Sequence, residues 1–261
     1  MPLTIATWNV NGIRAREAQF LEWVAADAPD VICLQEIKAT PEQLPKGVAD
    51  LEGYSSYWHG AAGGYSGVSL HIRDGVFDVA PVYSHPHFDM ETRIVEARLG
   101  DLVLASVYIP NGGKDYPAKL EFMKQMQGYV KAIHKAGEKL IVCGDMNVAL
   151  TDADIHPTHR KPGIIGTRPE ERKLLAGIID EGLVDVARML EPDNERFFTW
   201  WPFWRTARQR NLGWRIDYIF ASKSIARSAT ACVVRREVGT SDHGPVMATF
   251  EMQGLRMKFE G

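Results

Sequence analysis

The run Leu140-Ile141-Val142-Cys143-Gly144-Asp145-Met146-Asn147 decides the fold class. Four apolar residues in a row, two of them β-branched, read as a buried strand. The strand ends on a glycine, a carboxylate and an amide. A carboxylate just past a buried strand is costly unless it finds a partner or a metal. The same ending recurs. Leu3-Thr4-Ile5-Ala6-Thr7-Trp8 runs into Asn9-Val10-Asn11-Gly12, and Val31-Ile32-Cys33-Leu34 runs into Gln35-Glu36. Asp217-Tyr218 and Ser241-Asp242-His243 make five such polar motifs. Strand ends are where α/β architectures place ligands and catalytic groups, so the five predict one polar cleft.

Around these runs the chain reads as alternating elements. Apolar residues at helical spacing predict a helix over 15–27, with Phe20, Leu21, Trp23 and Val24 on one face and Pro29 beyond its end. A second helix is predicted over 118–136, with Leu120, Met123, Met126, Val130 and Ile133 on its face and Gly137 as its stop. A third starts near Pro169 with acids in its first turns. Further strands are expected at 67–72, 76–82, 94–99, 102–108, 216–221, 229–235 and 246–252, with Gly100-Asp101 as a hairpin connector. A helix, a buried strand and an acid follow one another at 15–36 and again at 118–145, a weak internal echo of two similar halves. Mixed strands with helices outside fit two sheets packed face to face under a helical cover.

The totals narrow the class. With 261 residues, 45% of them hydrophobic, and no linker-like stretch, one large domain over 1–261 is expected. The longest irregular stretch, about 151–167, reads as a functional loop. No basic and apolar leader opens the chain and no apolar run is long enough for a bilayer, so no membrane association is expected. Cys33, Cys143 and Cys232 have no CxxC spacing and read as small core residues of a reducing, cytoplasmic compartment. The net charge of −3 argues against a protein coated in positive charge, yet an acidic cleft can carry a basic rim. Arg205, Arg208, Arg210 and Arg215 lie among Trp200, Trp201, Phe203, Trp204 and Trp214. Two readings of this segment stand level: base stacking with backbone clamping, or a surface loop folded on its own aromatic mini-core.

The polar motifs offer a chemistry. Glu36 is a carboxylate of the kind that holds a hard cation such as Mg²⁺. Asp145 and Asn147, two apart, suit water activation and donation to a phosphoryl oxygen, or simply an Asx-turn closing the strand. Asp217 is a candidate to hold the His243 imidazole, since the adjacent Asp242 is badly placed for it. Asn9 and Asn11 suit hydrogen bonds to the carboxylates. Tyr108, before Pro110-Asn111-Gly112, suits a phosphate contact.

Taken in order, these motifs resemble the exonuclease III type of apurinic/apyrimidinic (AP) endonuclease, of the endonuclease/exonuclease/phosphatase superfamily. The match runs from Thr7-Trp8-Asn9-Val10-Asn11-Gly12-Ile13-Arg14, through Leu34-Gln35-Glu36-Ile37-Lys38, Gly64-Tyr65-Ser66-Gly67-Val68, Val107-Tyr108-Ile109-Pro110-Asn111-Gly112, Gly144-Asp145-Met146-Asn147 and Gly213-Trp214-Arg215-Ile216-Asp217-Tyr218, to Ser241-Asp242-His243-Gly244-Pro245-Val246. The resemblance implies a four-layered α/β sandwich: two mixed β-sheets face to face, flanked by helices. It implies Mg²⁺-dependent incision 5′ to abasic sites in double-stranded DNA, with action on blocked 3′ ends as a 3′-phosphodiesterase and 3′-phosphatase and some 3′→5′ exonuclease activity. An exonuclease and 3′-phosphatase with weak incision is the alternative. By the same resemblance Glu36 is the main metal ligand, with Asn9, Asn11 and Asp242 near it and Mn²⁺ able to substitute. Tyr108, Asp145, Asn147, Asp217 and His243 are catalytic. Trp200, Trp214 and Ile216 form the pocket for the flipped abasic sugar, and Lys38, Asn111, Lys114 and Arg208 lie toward the DNA. A monomer is expected. Superfamily members such as pancreatic-type deoxyribonucleases, sphingomyelinases and inositol-phosphate phosphatases typically place a second catalytic histidine where this chain has Tyr108-Ile109-Pro110-Asn111, so the tyrosine favours the repair branch. Departures from the pattern are Glu91-Thr92-Arg93, Leu150 after the Gly144–Asn147 motif, and the aromatic Trp201–Arg205 segment.

Overall fold

The computed structural model describes residues 2–60, 63–204 and 206–251. Its strands are β1 (Pro2–Asn9), β2 (Val31–Gln35), β3 (Tyr54–His59), β4 (Val68–Arg73), β5 (Val82–Ser84), β6 (Ile94–Leu99), β7 (Leu102–Tyr108), β8 (Lys139–Asp145), β9 (Leu183–Asp185), β10 (Asp217–Ser222), β11 (Ala229–Val234) and β12 (Val246–Glu251). The α-helices are α1 (Glu17–Asp27), α2 (Lys46–Ala49), α3 (Tyr116–Lys135), α4 (Pro169–Asp180), α5 (Val186–Leu190) and α6 (Lys223–Ala226). The strands form two mixed six-stranded sheets, β11-β12-β1-β2-β4-β3 and β5-β6-β7-β8-β10-β9. Each sheet has one parallel pair, β1–β2 or β7–β8, joined through a helix, α1 or α3. The internal echo in the sequence is this repeated unit.

Burial on both faces explains the continuous apolar runs. Val31 and Cys33 point into the core between the sheets, whereas Ile32 and Leu34 point to the layer under α1, beside Phe20 and Trp23. Ile141 and Cys143 likewise face the other sheet, and Leu140 and Val142 face α3 and α4. Successive side chains alternate faces, so a strand between two apolar layers needs no polar alternation. The three cysteines are free and buried.

The elements depart from expectation at the edges. Of the expected 76–82 strand only Val82 is strand, as the first residue of β5. Val76, Phe77 and Val79 instead pack loosely on the inter-sheet core from an irregular loop broken by Gly75, Asp78 and Pro81. The edge strand β3 is half-buried throughout and lacks an apolar run, which hid it. Met252, expected in the last strand, lies outside the described residues. The 151–167 loop carries two 3₁₀ turns. The buried stripe of α3 centres on Lys119, Phe122, Met123, Met126, Val130 and Ile133, and Leu120 is only half-buried.

His71 of β4 is fully buried, hydrogen-bonded to Ser69 and Ser56 at 2.8 Å each. Burial depresses its pKa to about 3. The folded chain therefore keeps His71 neutral while the unfolded chain protonates it below about pH 6.5. The stability this represents is complete above that pH. It is lost on acidification toward about pH 3, at up to about 1.4 kcal/mol per pH unit. Denaturant unfolding as a function of pH should show a shallower acid slope for His71→Gln than for wild type. Equal slopes would contradict the assignment.

Candidate active site

The five motifs meet at one end of the two sheets. Tyr108, Asp145 and Asp217 are direct neighbours across β7, β8 and β10. Asn9 pairs with Gln35 at the same end of the other sheet. After the strands the chain must turn at once. Asn11, Glu36, Lys38 and Asn147 all adopt left-handed backbone, with φ of 47°, 49°, 52° and 50°. Such residues cost of order 1 kcal/mol or more each and persist where surrounding bonds dictate them. Here the dictating bonds are Gly12 N–H to Glu36 O, Ile37 N–H to Gly67 O and Lys38 N–H to Ser66 O. A Cβ on Gly144 would lie 1.8 Å from the Val107 carbonyl oxygen, so only glycine lets β8 reach Asp145 against β7.

The side chains form one hydrogen-bonded network across the seam between the sheets. Asn9 Nδ2 donates to Glu36 Oε1 (3.0 Å) and to Asp145 Oδ2 (2.9 Å). Tyr108 donates to Glu36 Oε1 at 2.8 Å. Lys38 Nζ bridges Glu36 Oε2 (2.8 Å) and Asn11 Oδ1 (2.6 Å). Asn11 Nδ2 and Trp200 Nε1 donate to the two oxygens of Asp242, at 2.8 and 2.9 Å. The His243 Nδ1 edge meets Asp217 at 2.9 Å, and its Nε2 lies 3.9 Å from Asp145. Asn147 N–H donates to Asp145 Oδ1 at 2.8 Å, so the Asx-turn forms, and Asn147 lines the cleft with its Nδ2 donating to Ile109 O at 2.9 Å. Asn111 Nδ2 donates to Asn147 Oδ1 at 3.1 Å.

This geometry separates the charge states. Burial and the neighbouring Asp217 and Glu36 charges raise Asp145 to about 7, against the opposing pull of His243. Burial alone would lower His243, but Asp217, Asp145 and Asp242 outweigh it and raise it to about 10. Burial also pushes Glu36 and Asp242 up, yet both end below the usual carboxylate range. For Glu36 the hydrogen bonds from Asn9 and Lys38 prevail; for Asp242 the His243 charge and the bond from Asn11 do. Burial, then Glu36 and Asp145, raise the Tyr108 phenol, which stays protonated.

Within the cleft, two groupings could be taken for a cation site. Ligand atoms of Asp145, Asp217 and His243 lie within 4.8 Å of one another. That trio is already satisfied as an imidazolium between carboxylates, and an imidazolium does not ligate a metal. Glu36 and Asp242 open on the same cleft and are the hard oxygen donors that suit a divalent ion. The amide oxygens of Asn9 and Asn11 are engaged by Asn11 N–H (3.0 Å) and by Lys38. In this arrangement the two asparagines orient carboxylates instead of offering oxygens to a cation. With four carboxylates against His243 and Lys38, the cleft carries excess negative charge that a cation would offset.

Beside the polar floor, Ile164, Trp200, Trp214 and Ile216 form an apolar wall, and the whole cleft measures about 480 Å³. Trp200 and Trp214 meet edge to face at 6.0 Å. Lys114 is exposed, with Nζ 5.9 Å from the centre of the Tyr65 ring. Arg208 departs from expectation. Its guanidinium sits over Trp201 and donates to the carbonyls of Arg236 (2.6 Å), Val238 (2.7 Å), Gly239 and Ser241. Its hydrogen-bonding capacity goes to shaping the loop that presents Asp242. Arg215 is buried and paired with Asp154 and Asp185 at 2.7 Å each. Arg210 is exposed, and Arg205 lies outside the described residues. The mini-core reading therefore holds for Phe198, Trp201 and Ala207, while Phe203 and Trp204 remain exposed.

Three supports went unread in the sequence. Thr199 donates to Asp217 Oδ2 at 2.6 Å and fixes the carboxylate that holds His243. The Arg93 guanidinium stacks 4.8 Å from the Tyr108 ring centre. Lys119, fully buried, pairs with Glu171 and donates to the carbonyls of Asn111 (3.2 Å) and Asn147 (2.8 Å). A lysine inside an apolar helix stripe was the available signal for Lys119; the lone Thr199 gave none.

The chain is similar to known proteins in sequence and fold. The model of the endonuclease/exonuclease/phosphatase family matches residues 6–243. Recombination repair protein 1 of Drosophila melanogaster is 33% identical over 96% of the chain, although the chain spans only 37% of that protein's length. Among solved structures, an AP endonuclease from Archaeoglobus fulgidus superposes with a TM-score of 0.84 at 29% identity, covering 95% of this chain and 99% of that one. The 3′ phosphatase NExo from Neisseria, bound to product DNA hairpin, gives 0.85 at 28% identity with the same coverages. The chain belongs to the endonuclease/exonuclease/phosphatase family and is a nuclease of its AP endonuclease and exonuclease type.

Proposed function

We propose that this protein hydrolyses the phosphodiester 5′ to abasic sites in duplex DNA with Mg²⁺, and also removes 3′ blocking groups and trims 3′ ends. The observation carrying this reading is an apolar wall of Trp200, Trp214 and Ile216 set against the Asp145–Asn147–His243 floor of one cleft. The indole nitrogen of Trp200 is spent on Asp242, so it does not offer that wall a donor for a base edge. A sugar without its base fits such a wall, and flipping costs least where no base must be unstacked.

In this reading Asp145, raised to about 7, takes the proton of the attacking water, and Asn147 orients that water. His243, held by Asp217 and cationic at neutral pH, donates Nε2–H toward a phosphoryl oxygen as charge builds there. The Tyr108 phenol donates to a phosphoryl oxygen as well. Glu36 and Asp242 would hold Mg²⁺, which when bound neutralises phosphate charge and polarises the scissile centre. Lys38, Asn111 and Lys114 line the approach of the DNA backbone. The enzyme acts as a monomer, one domain over 1–261, in the cytoplasm.

The second reading, 3′-end processing with weak internal incision, is favoured by the equal fit to NExo and by Leu150 and the 149–167 loop. A labelled duplex with one internal tetrahydrofuran analogue, in Mg²⁺ and in EDTA, separates the two. One cut 5′ to the analogue, abolished by EDTA, is expected; shortening from the 3′ end alone would establish the second reading. Affinity for that duplex should fall roughly tenfold to a hundredfold over a fourfold rise in salt, the slope of about two to four phosphate contacts. Salt-independent binding would contradict a DNA substrate.

A further inference from the structure

Away from the cleft, two imidazoles and a carboxylate converge where the outer edges of the two sheets meet. His59 ends β3, the edge strand of one sheet. His85 follows β5, the edge strand of the other, and Asp89 lies four residues further on. Their ligand atoms all lie within 4.8 Å of one another. His59 Nε2 is 2.6 Å from Asp89 Oδ2, and the two imidazole rings lie nearly parallel, centroids 4.5 Å apart. None of the three lines the cleft.

We propose that His59, His85 and Asp89 bind a transition-metal ion of the zinc class, clamping the edges of the two sheets together. Two imidazole nitrogens and one carboxylate oxygen are the donors such ions select over Mg²⁺. Asp89 is oriented for the task. Its Oδ1 accepts the backbone N–H groups of Arg93 (2.8 Å) and Ile94 (3.0 Å), which leaves Oδ2 directed at His59. A second contact fixing a ligand's orientation is the usual companion of a metal site. His85 is exposed and makes no hydrogen bond among the described residues, so its ring is free to swing onto the ion. Bonds near 2.0–2.1 Å at tetrahedral angles place donor atoms roughly 3.4 Å apart. The His59–Asp89 contact at 2.6 Å must therefore open by under an ångström, and the other gaps, none above 4.8 Å, need close by no more than roughly 1.4 Å. Three protein ligands leave the fourth position to water.

The ion would act on stability, since it ties together strands that share no backbone ladder. It connects to the cleft through Arg93, which bonds Asp89 through its backbone and stacks on Tyr108. Metal-free full-length protein in excess Mg²⁺ should be titrated with Co²⁺, and its thermal unfolding followed with and without Zn²⁺. The expected result is an equimolar visible d–d absorption of low-coordinate Co²⁺ and a Tm raised by Zn²⁺. Both should weaken at least about tenfold in affinity in His85→Ala and in Asp89→Asn, and both should persist in Glu36→Gln. Asn at 89 keeps the oxygen that caps Arg93 and Ile94, and His85 is exposed, so both variants retain the fold. No absorption in the wild type, absorption that survives both variants, or absorption lost in Glu36→Gln would overturn the proposal.

Discussion

Four carboxylates are crowded where the two sheets meet, Asp145 and Asp217 buried and Glu36 and Asp242 half-buried at the cleft. Two like charges 4 Å apart repel by roughly 4 kcal/mol at an effective dielectric near 20, so the rest of the site is organised around containing that repulsion. Asp145 and Asp217 are direct register neighbours and share His243, whose charge faces both. Asn9 donates to Glu36 and Asp145 at once, joining an acid from each sheet through one amide. Lys38 compensates Glu36. Uneven compensation moves the acids apart in strength. Asp145 becomes a near-neutral base, while Glu36 and Asp242 stay ionised.

The fold supplies the rigidity this crowding demands. Strands buried on both faces fix the Cα positions of Asn9, Tyr108, Asp145 and Asp217 to the sheet register. Residues that leave the sheet are held by other means. Lys119 and Glu171, a buried pair, tie the Asn111 loop, the Asn147 turn and Gly166 to helices α3 and α4. Breaking such a pair from one side strands an uncompensated charge, typically 3–5 kcal/mol. Arg208 secures the Ser241–Asp242 loop through carbonyls, and Thr199 secures Asp217. Loops built this way hold their polar groups ready before substrate arrives.

The central strands and the polar ends were legible because each carries its own signal: an unbroken apolar run, then a residue that cannot be buried unpartnered. The edge strands β3 and β9 were not, although the edge strand β11 was. The β3 residues Tyr54–His59 are half-buried, and their pairing is set by β4, a partner nine residues or more away in sequence. Composition leaves Arg208 and Arg215 level between clamping a DNA backbone and serving a surface mini-core; only the folded chain brings Asp154 and Asp185 to Arg215, and four carbonyls to Arg208. Lys38, expected toward the DNA, also bridges Glu36 and the Asn11 side chain 27 residues away. Such contacts span long sequence separations and leave no local pattern.

The most direct test replaces the one carboxyl whose environment makes it a base. Turnover of an abasic duplex and affinity for it should be measured side by side for wild type and Asp145→Asn. The account predicts turnover lower by roughly 10²–10⁴-fold or more with affinity largely retained. Near-normal turnover in the variant would contradict it.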